Sequence, residues 1–174
     1  ILLFLFLGDV RSSLIVVATL LLTPLLTFLV MNRYGISANL MSLGGLAIAI
    51  GIMVDGSVVV VENTFAKLGE RLKSGESKNR IILEAAAEVG KPVLFGVGII
   101  ILVFMPLLSL EGMEGKMFAP MAITIAIALA ISLILSFTLS PVLCSYILKG
   151  GSEEDTKIVK KLRTPYDRWL NWSL

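Results

Sequence analysis

The composition of this 174-residue chain is that of a membrane protein rather than of a soluble domain. Hydrophobic residues make up 56% of the chain and charged residues only 16%, whereas soluble domains carry about a quarter charged residues. The net charge is +2. We expect the membrane as a partner and no nucleic acid. There is no histidine to act as a nitrogen metal ligand, and the single Cys144 cannot form an internal disulfide.

Apolar runs of about 20 residues, the length that crosses a bilayer, recur along the chain. Residues 1–7 are apolar but begin without a methionine or a basic region, so we interpret them as the end of one span in a longer protein. Complete spans are predicted at residues 13–31, 40–61, 92–110 and 119–146. The predicted fold class is therefore all-α: a polytopic transmembrane helical bundle of four full spans plus part of a fifth.

Basic residues fall almost entirely on one side of this arrangement. Thirteen of the fifteen Lys and Arg residues lie in the connections 9–12, 67–91 and 149–174. The positive-inside rule predicts that these connections are cytoplasmic. Within them, residues 80–89 have the pattern of a short amphipathic helix at the membrane surface, and 149–174 that of an amphipathic linker.

The span 40–61 contains an acidic residue, Asp55. At ~1.5 Å per residue from Leu40, Asp55 lies about two-thirds of the way across. An ionised carboxylate at such depth costs at least ~2.5 kcal/mol, so such groups usually face a bundle interior or a water-filled cavity. Desolvation favours the protonated form of a carboxyl group and a nearby cation favours the ionised form. We interpret Asp55 as a proton carrier; the alternative is a hydrogen-bonding partner between helices.

Glu62 follows Asp55 by seven residues and therefore lies on nearly the same helix face, about 10 Å further along the axis. Glu62 and Asn63 fall where this helix should meet the cytoplasmic interface. They are either a second proton relay or interfacial groups that pair with the following basic loop. The second interpretation is favoured.

Small residues recur at helical spacing on two of the predicted spans. The positions that we interpret as packing surfaces are Gly44, Gly51, Gly56, Ser132 and Ser136. Small residues let membrane helices approach closely, and hydroxyl groups can form hydrogen bonds across the contact. Packing is favoured over the alternative that these residues line a wetted path to Asp55.

Two methionines, Met41 and Met53, lie on the same span as Asp55. Their thioethers are soft ligands that suit Cu(I), which makes a metal site one interpretation. Methionine is also a flexible filler of apolar interiors. Because two methionines twelve residues apart do not form a site by themselves, the filling role is favoured.

Several long motifs, taken in chain order, resemble those of the resistance-nodulation-cell division superfamily of proton-driven efflux pumps. The motifs are Gly8–Ile15, Asn39–Gly45, Met53–Gly56, Val61–Asn63 and Glu111–Ala122. The resemblance covers nearly the whole chain, from the end of the second transmembrane span to just after the sixth. Drug-exporting members usually carry two adjacent aspartates in the fourth span. Here Gly56 follows Asp55, as in the heavy-metal efflux branch.

This resemblance implies a secondary active transporter rather than an enzyme, with no cofactor, that exchanges a metal cation for protons carried by Asp55. It also implies a homotrimer in the bacterial inner membrane, with a periplasmic adaptor and an outer-membrane channel as partners. Met41 and Met53 match two methionine positions of copper and silver exporters. Three further positions are not methionine, namely Val60, Leu129 and Cys144. A divalent cation such as zinc, cobalt or nickel is therefore expected. The alternatives are a multidrug exporter and a non-transporting membrane domain of related architecture.

Overall fold

The computed structural model describes residues 10–148, and within them the side chains of Val54, Asp55 and Lys73 lie outside the description. The predictions for residues 1–7 and 149–174 also lie outside it. Four long helices follow one another: α1 (Val10–Arg33), α2 (Leu40–Arg71), α3 (Lys78–Phe104) and α4 (Gly112–Ile147). Short 3-10 turns at Leu72–Ser74 and Met105–Ser109 follow α2 and α3. The described residues contain no strand, and the predicted all-α class is confirmed.

All four helices are long and apolar enough to cross a membrane. With 32 residues in α2 and 36 in α4, these helices are about 48 and 54 Å long at 1.5 Å per residue. The hydrocarbon core of a bilayer is only about 30 Å thick. The helices therefore extend beyond the apolar layer into the headgroups and water.

The connection between α1 and α2 is short because both helix ends are closed locally. Gly35 adopts a φ of +68°, which a residue without a Cβ enters at no steric cost, and the Ile36 N–H donates to the Met31 carbonyl at 2.9 Å. At the start of α2, the Asn39 side chain accepts a hydrogen bond from the Ser42 N–H at 2.9 Å. These two caps hold α1 and α2 as an antiparallel pair.

The first turns of α3 contain the segment that was predicted as a separate surface helix. In the structure Arg80–Val89 continues directly into the membrane span, as one helix from Lys78 to Phe104. The apolar side chains of Ile81 and Ile82 are buried in a core cluster with residues of α1, α2 and α4. Because other helices cover these side chains, the segment packs as an extension of the helix bundle.

Helix α4 lies at the centre of the described bundle and contacts each of the other three helices. Its buried face contains mostly small and hydroxyl-bearing residues: Ala122, Thr124, Ala128, Ser132, Ser136 and Ser140. Two apolar clusters stabilise the contacts. The first includes Val61, Leu68 and Cys144 near the end of the bundle that contains the α2–α3 turn, and the second includes Leu46 and Leu129.

Candidate functional site

Asp55 falls on the side of α2 that the other described helices leave uncovered. Four residues at the same helical register, Gly44, Gly51, Val59 and Glu62, are exposed. A Cβ built at Gly44 or Gly51 would meet no atom within 4 Å. The side chain of Asp55 is outside the description, but its backbone is helical and continues this stripe. We call Gly44, Gly51, Asp55, Val59 and Glu62 the open stripe of α2.

The opposite side of α2 is tightly packed and contains hydroxyl groups at nearly the depth of Asp55. The Ser57 and Ser136 hydroxyls form a buried hydrogen bond of 2.9 Å between α2 and α4. Beside it, Thr19, Thr23, Met53, Ser57 and Ser132 line a narrow gap with no room for a water molecule. Thr23 donates to its own helix, to the Thr19 carbonyl at 2.7 Å. This layer therefore packs the helices and is dry.

Close packing of α2 against α4 occurs at a glycine that the sequence analysis did not select. A Cβ at Gly45 would lie 2.7 Å from the Met121 carbonyl oxygen, closer than real Cβ atoms approach. Gly56 is in ordinary contact, since its Cβ would lie 3.5 Å from Val93 and 3.9 Å from Ser136. Gly44 and Gly51 make no such contact within the described part of the chain. The small residue at Ala49, one turn after Gly45, was the available signal for this face.

The two methionines are too far apart to bind the same ion within this helix. Met53 is 4% exposed and packs in the apolar cluster with Leu46, Ile125 and Leu129. Met41 is half-buried and lies twelve residues earlier, about 18 Å along the axis. Among residues 10–148, apart from the undescribed side chains, no three His, Cys, Asp or Glu residues form a metal-binding group. The filling role of Met53 is the one its surroundings support.

Asn63 joins α2 to the beginning of α3. Its side-chain amide donates to the Ala85 carbonyl oxygen at 2.8 Å and to a Glu88 carboxylate oxygen at 3.4 Å. Glu62, the preceding residue, is exposed on the open stripe. The two adjacent polar residues therefore differ in position: Asn63 holds two helices together and Glu62 faces away from them.

A layer of charged residues continues this connection towards the turn between α2 and α3. Arg71 donates to Glu76 at 2.5 Å and to Glu84 at 2.7 Å, and Glu84 also accepts from Arg80 at 2.9 Å. One turn closer to the membrane, Lys67 forms an ion pair with Glu88. Because these pairs link α2 to α3 across the turn, the two helices form one unit at this end. We call these residues the charged layer.

The fold defines a class of protein: a multi-spanning helical membrane protein in which the apolar helix α2 carries an acidic residue, Asp55. The chain belongs to the AcrB/AcrD/AcrF family, whose sequence pattern it matches over residues 1–174. The predicted membership of the resistance-nodulation-cell division superfamily, in its heavy-metal efflux branch, is confirmed by this match and by the relatives below.

The chain is similar to several heavy-metal efflux proteins. It is 45% identical to the cobalt-zinc-cadmium resistance protein CzcA of Cupriavidus metallidurans, over 72% of this chain and 12% of that protein. It is 36% identical to the cation efflux system protein CusA of Escherichia coli, over 95% of this chain and 16% of that protein. Protein HelA of Legionella pneumophila is 43% identical over 88% of this chain and 15% of its own length.

A crystal structure of a heavy metal efflux pump has the same fold. It matches with a TM-score of 0.66 and 37% identity, covering 83% of this chain and 14% of that one. The chain thus spans about one-sixth of the length of the relatives that it matches. Most of the length of those longer proteins therefore has no counterpart in this chain.

Proposed function

We propose that this chain is the membrane part of a proton-driven exporter of heavy-metal cations, in which Asp55 carries the proton. The observation that carries the proposal is the register of Asp55 on the open stripe of α2. An acid at membrane depth requires polar or wet surroundings. The described helices cover the other side of α2 and leave this side uncovered, so the groups that face Asp55 lie outside the described residues.

Binding of a proton at this position would act on α2 as a whole. The helix is fixed to α4 by the bond between Ser57 and Ser136, and to α3 by Asn63 and the charged layer. Protonation removes a charge from the open stripe, and each charge state favours a different packing of whatever covers that stripe. Movement of α2 would then be transmitted through α3 and α4 to the ends of the bundle.

We propose a divalent cation as the exported substrate. Relatives of this chain include a cobalt-zinc-cadmium resistance protein and a nickel and cobalt resistance protein. A path of methionine thioethers for copper or silver ions is incomplete here. Val60, Leu129 and Cys144 stand at three positions where the resemblance to copper and silver exporters predicts methionine. All three side chains are buried in the apolar clusters or between the helices.

The proposed assembly follows from the family. We propose a homotrimer in the bacterial inner membrane, with residues 67–91 and 149–174 on the cytoplasmic side. A periplasmic adaptor and an outer-membrane channel would complete a path across the cell envelope. The four membrane-spanning helices and the position of the basic residues support this placement.

The test is the substitution Asp55→Asn in the full-length protein, reconstituted in vesicles with a controlled pH gradient. We expect normal trimer assembly but no proton-coupled flux of zinc, cobalt or nickel ions. The matched control is Glu62→Gln, which removes a carboxylate from the same stripe at the interface and should leave transport intact. Undiminished transport by Asp55→Asn would refute the proton-carrying role.

Two further outcomes of the same experiment discriminate the alternatives. Loss of transport in Glu62→Gln as well would identify Glu62 as a second relay. Export of hydrophobic amphiphiles in place of metal ions would identify a multidrug exporter, whereas a wild-type protein that moves neither would identify a non-transporting domain.

A further inference from the structure

The buried apolar side chains of the described bundle form two clusters that share no member. In α2, α3 and α4, the first cluster and the side chains packed against it come from residues 58–72, 81–82 and 143–148. The second cluster and its neighbours come from residues 46–53, 97–104 and 121–129 of the same helices. The core is therefore divided into two halves, and each of these three helices passes from one half into the other.

Each of the three helices has a site that favours bending where it passes between the halves. Pro92 of α3 and Pro141 of α4 have no N–H, so each leaves the carbonyl four residues earlier without its usual helical partner. In α2 the division falls at Gly56 and Ser57, and glycine–serine pairs are, like proline, sites at which helices bend. Helix α1 carries Pro24 about one turn into the second half.

The sites in α2, α3 and α4 lie side by side. A Cβ at Gly56 would lie 3.5 Å from Val93, which follows the proline of α3, and 3.9 Å from the Ser136 hydroxyl oxygen of α4. A Cβ at Gly90 would lie 3.6 Å from the ring of Phe137, one turn before the proline of α4. The three sites therefore form one layer across the bundle. We call the segments 56–57, 88–93 and 136–141 the bending layer.

The half of the bundle next to the α2–α3 turn is cross-linked by polar contacts. Asn63 and the charged layer join α2 to α3. The Lys78 ammonium of α3 donates to the Ser145 carbonyl of α4. The first apolar cluster fills the space between the same three helices. These contacts join the ends of α2, α3 and α4 into one unit, which we call the end unit.

We propose that the end unit tilts against the rest of the bundle as one body, with α2, α3 and α4 bending together at the bending layer. A bend in one helix alone would break polar contacts of the end unit or open a cavity in its close-packed cluster. A shared bend preserves both, and hinges of this kind need only a few residues in each element. The proposal rests on the packing of the helices and not on proton transport.

The test is hydrogen–deuterium exchange of the full-length protein in lipid nanodiscs, followed in peptides that cover residues 88–95 and 137–144. Amides in a segment that opens by bending exchange faster than amides inside a packed half. Pro92→Ala restores a helical N–H, so exchange at 88–95 should slow by about fivefold, the factor for one ordinary hydrogen bond. Because the end unit moves as one body, exchange at 137–144 should slow as well. Pro141→Ala is the reciprocal variant and should slow both segments.

Two controls separate shared bending from local effects. Pro120→Ala restores a helical N–H in α4 away from the bending layer and should leave both segments unchanged. Lys78→Met removes the polar contact between α3 and α4, so in that background Pro92→Ala should slow exchange only in α3. Lys91→Met is the matched lysine control and should preserve the response of α4. Thermal unfolding confirms that each variant is folded.

Three results would overturn the proposal. The first is wild-type exchange at 88–95 and 137–144 that is no faster than in the neighbouring helical segments. The second is an α4 segment that does not respond to Pro92→Ala, because the helices would then bend independently. The third is an undiminished response of α4 in the Lys78→Met background, because the effect would then pass through the local contact at Phe137 rather than through the end unit.

Discussion

The two ends of the described bundle are held together by different chemistry. At membrane depth, α2 and α4 are joined by a glycine contact and a bond between two serine hydroxyls. At the end that contains the turn between them, α2 and α3 are joined by the charged layer and by Asn63. The difference follows from the cost of removing charged groups from water. Exposed ion pairs lose little hydration, whereas an ionised group inside the membrane costs several kcal/mol.

The open stripe of α2 belongs neither to the neutral packed contacts nor to the charged layer. The packed face of the helix is dry and neutral, its end next to α3 carries the charged layer, and the open stripe, on which the register of Asp55 falls, is not covered by described residues. The helical register of Asp55 falls on this stripe, and the proposed proton-carrying role rests on that register.

The largest effect on stability is expected at the glycine contact. Gly45→Ala would place a Cβ 2.7 Å from the Met121 carbonyl and force the helices apart, at a cost of about 1–3 kcal/mol. Gly96→Ala on α3 is the matched control, because nothing lies within 4 Å of a Cβ there. It should be neutral or stabilising by up to about 1 kcal/mol. Thermal unfolding in detergent compares them, and equal shifts would contradict the close contact.

A smaller effect is expected at the hydroxyl pair. A double-mutant cycle of Ser57→Ala and Ser136→Ala should give a coupling energy of about 0.6 kcal/mol, typical of hydrogen bonds between membrane helices. The control cycle combines Ser57→Ala with Thr138→Val. Thr138 is exposed and donates to the Ile134 carbonyl of its own helix, so its coupling should be near zero. Coupling of the same size in both cycles would argue against a direct bond.

The charged layer should respond to salt where the hydroxyl pair does not. Arg71→Gln removes the bonds to Glu76 and Glu84 and should lower the unfolding temperature at low ionic strength, less than Gly45→Ala does. The difference from wild type should shrink as salt is raised, because exposed charges are screened. The deficit of Ser57→Ala should stay constant over the same range. A salt-independent deficit in Arg71→Gln would show that its role is packing.

The smallest effect is expected at Ser140, one turn after Ser136 on the same face of α4. Its hydroxyl is fully buried and has no hydrogen-bond partner among the described residues. Removing an unpaired polar group is neutral or stabilising, so Ser140→Ala should raise stability by about 0.5 kcal/mol or leave it unchanged. Ser136→Ala should lower it. Unfolding midpoints measured side by side would reveal a hidden partner if Ser140→Ala were the more harmful change.

Much of the fold could be predicted from the sequence because a membrane span depends on the composition of one continuous segment. Apolar runs predicted four spans, and four long helices are present among the described residues. Helices α1 and α4 exceed the predicted spans at both ends, α2 exceeds its span only at the C-terminal end, and α3 both begins and ends earlier than predicted. The motifs around Asp55 and Glu111–Ala122 identified the family, which the comparisons confirm. The role of Asp55, the sidedness of the loops and the transported ion stay predictions.

Contacts between distant residues were decided only by the tertiary structure. The sequence does not distinguish the adjacent glycines Gly44 and Gly45. Of the two, only Gly45 packs closely against another described helix. The bond of Asn63 to Ala85 spans 22 residues, and no local pattern specifies it. Residues 80–89 have the same amphipathic pattern whether lipid or protein covers them, and here α2 and α4 cover them.

The sequence by itself predicted which segments cross the membrane and which of them contains an acidic residue, Asp55. Hydrophobic transfer and the cost of a buried charge depend on composition along one helix, so both can be read without a fold. Which side of that helix is closed depends on how three others pack against it. Only the tertiary structure therefore showed that Asp55 falls on the open stripe of α2.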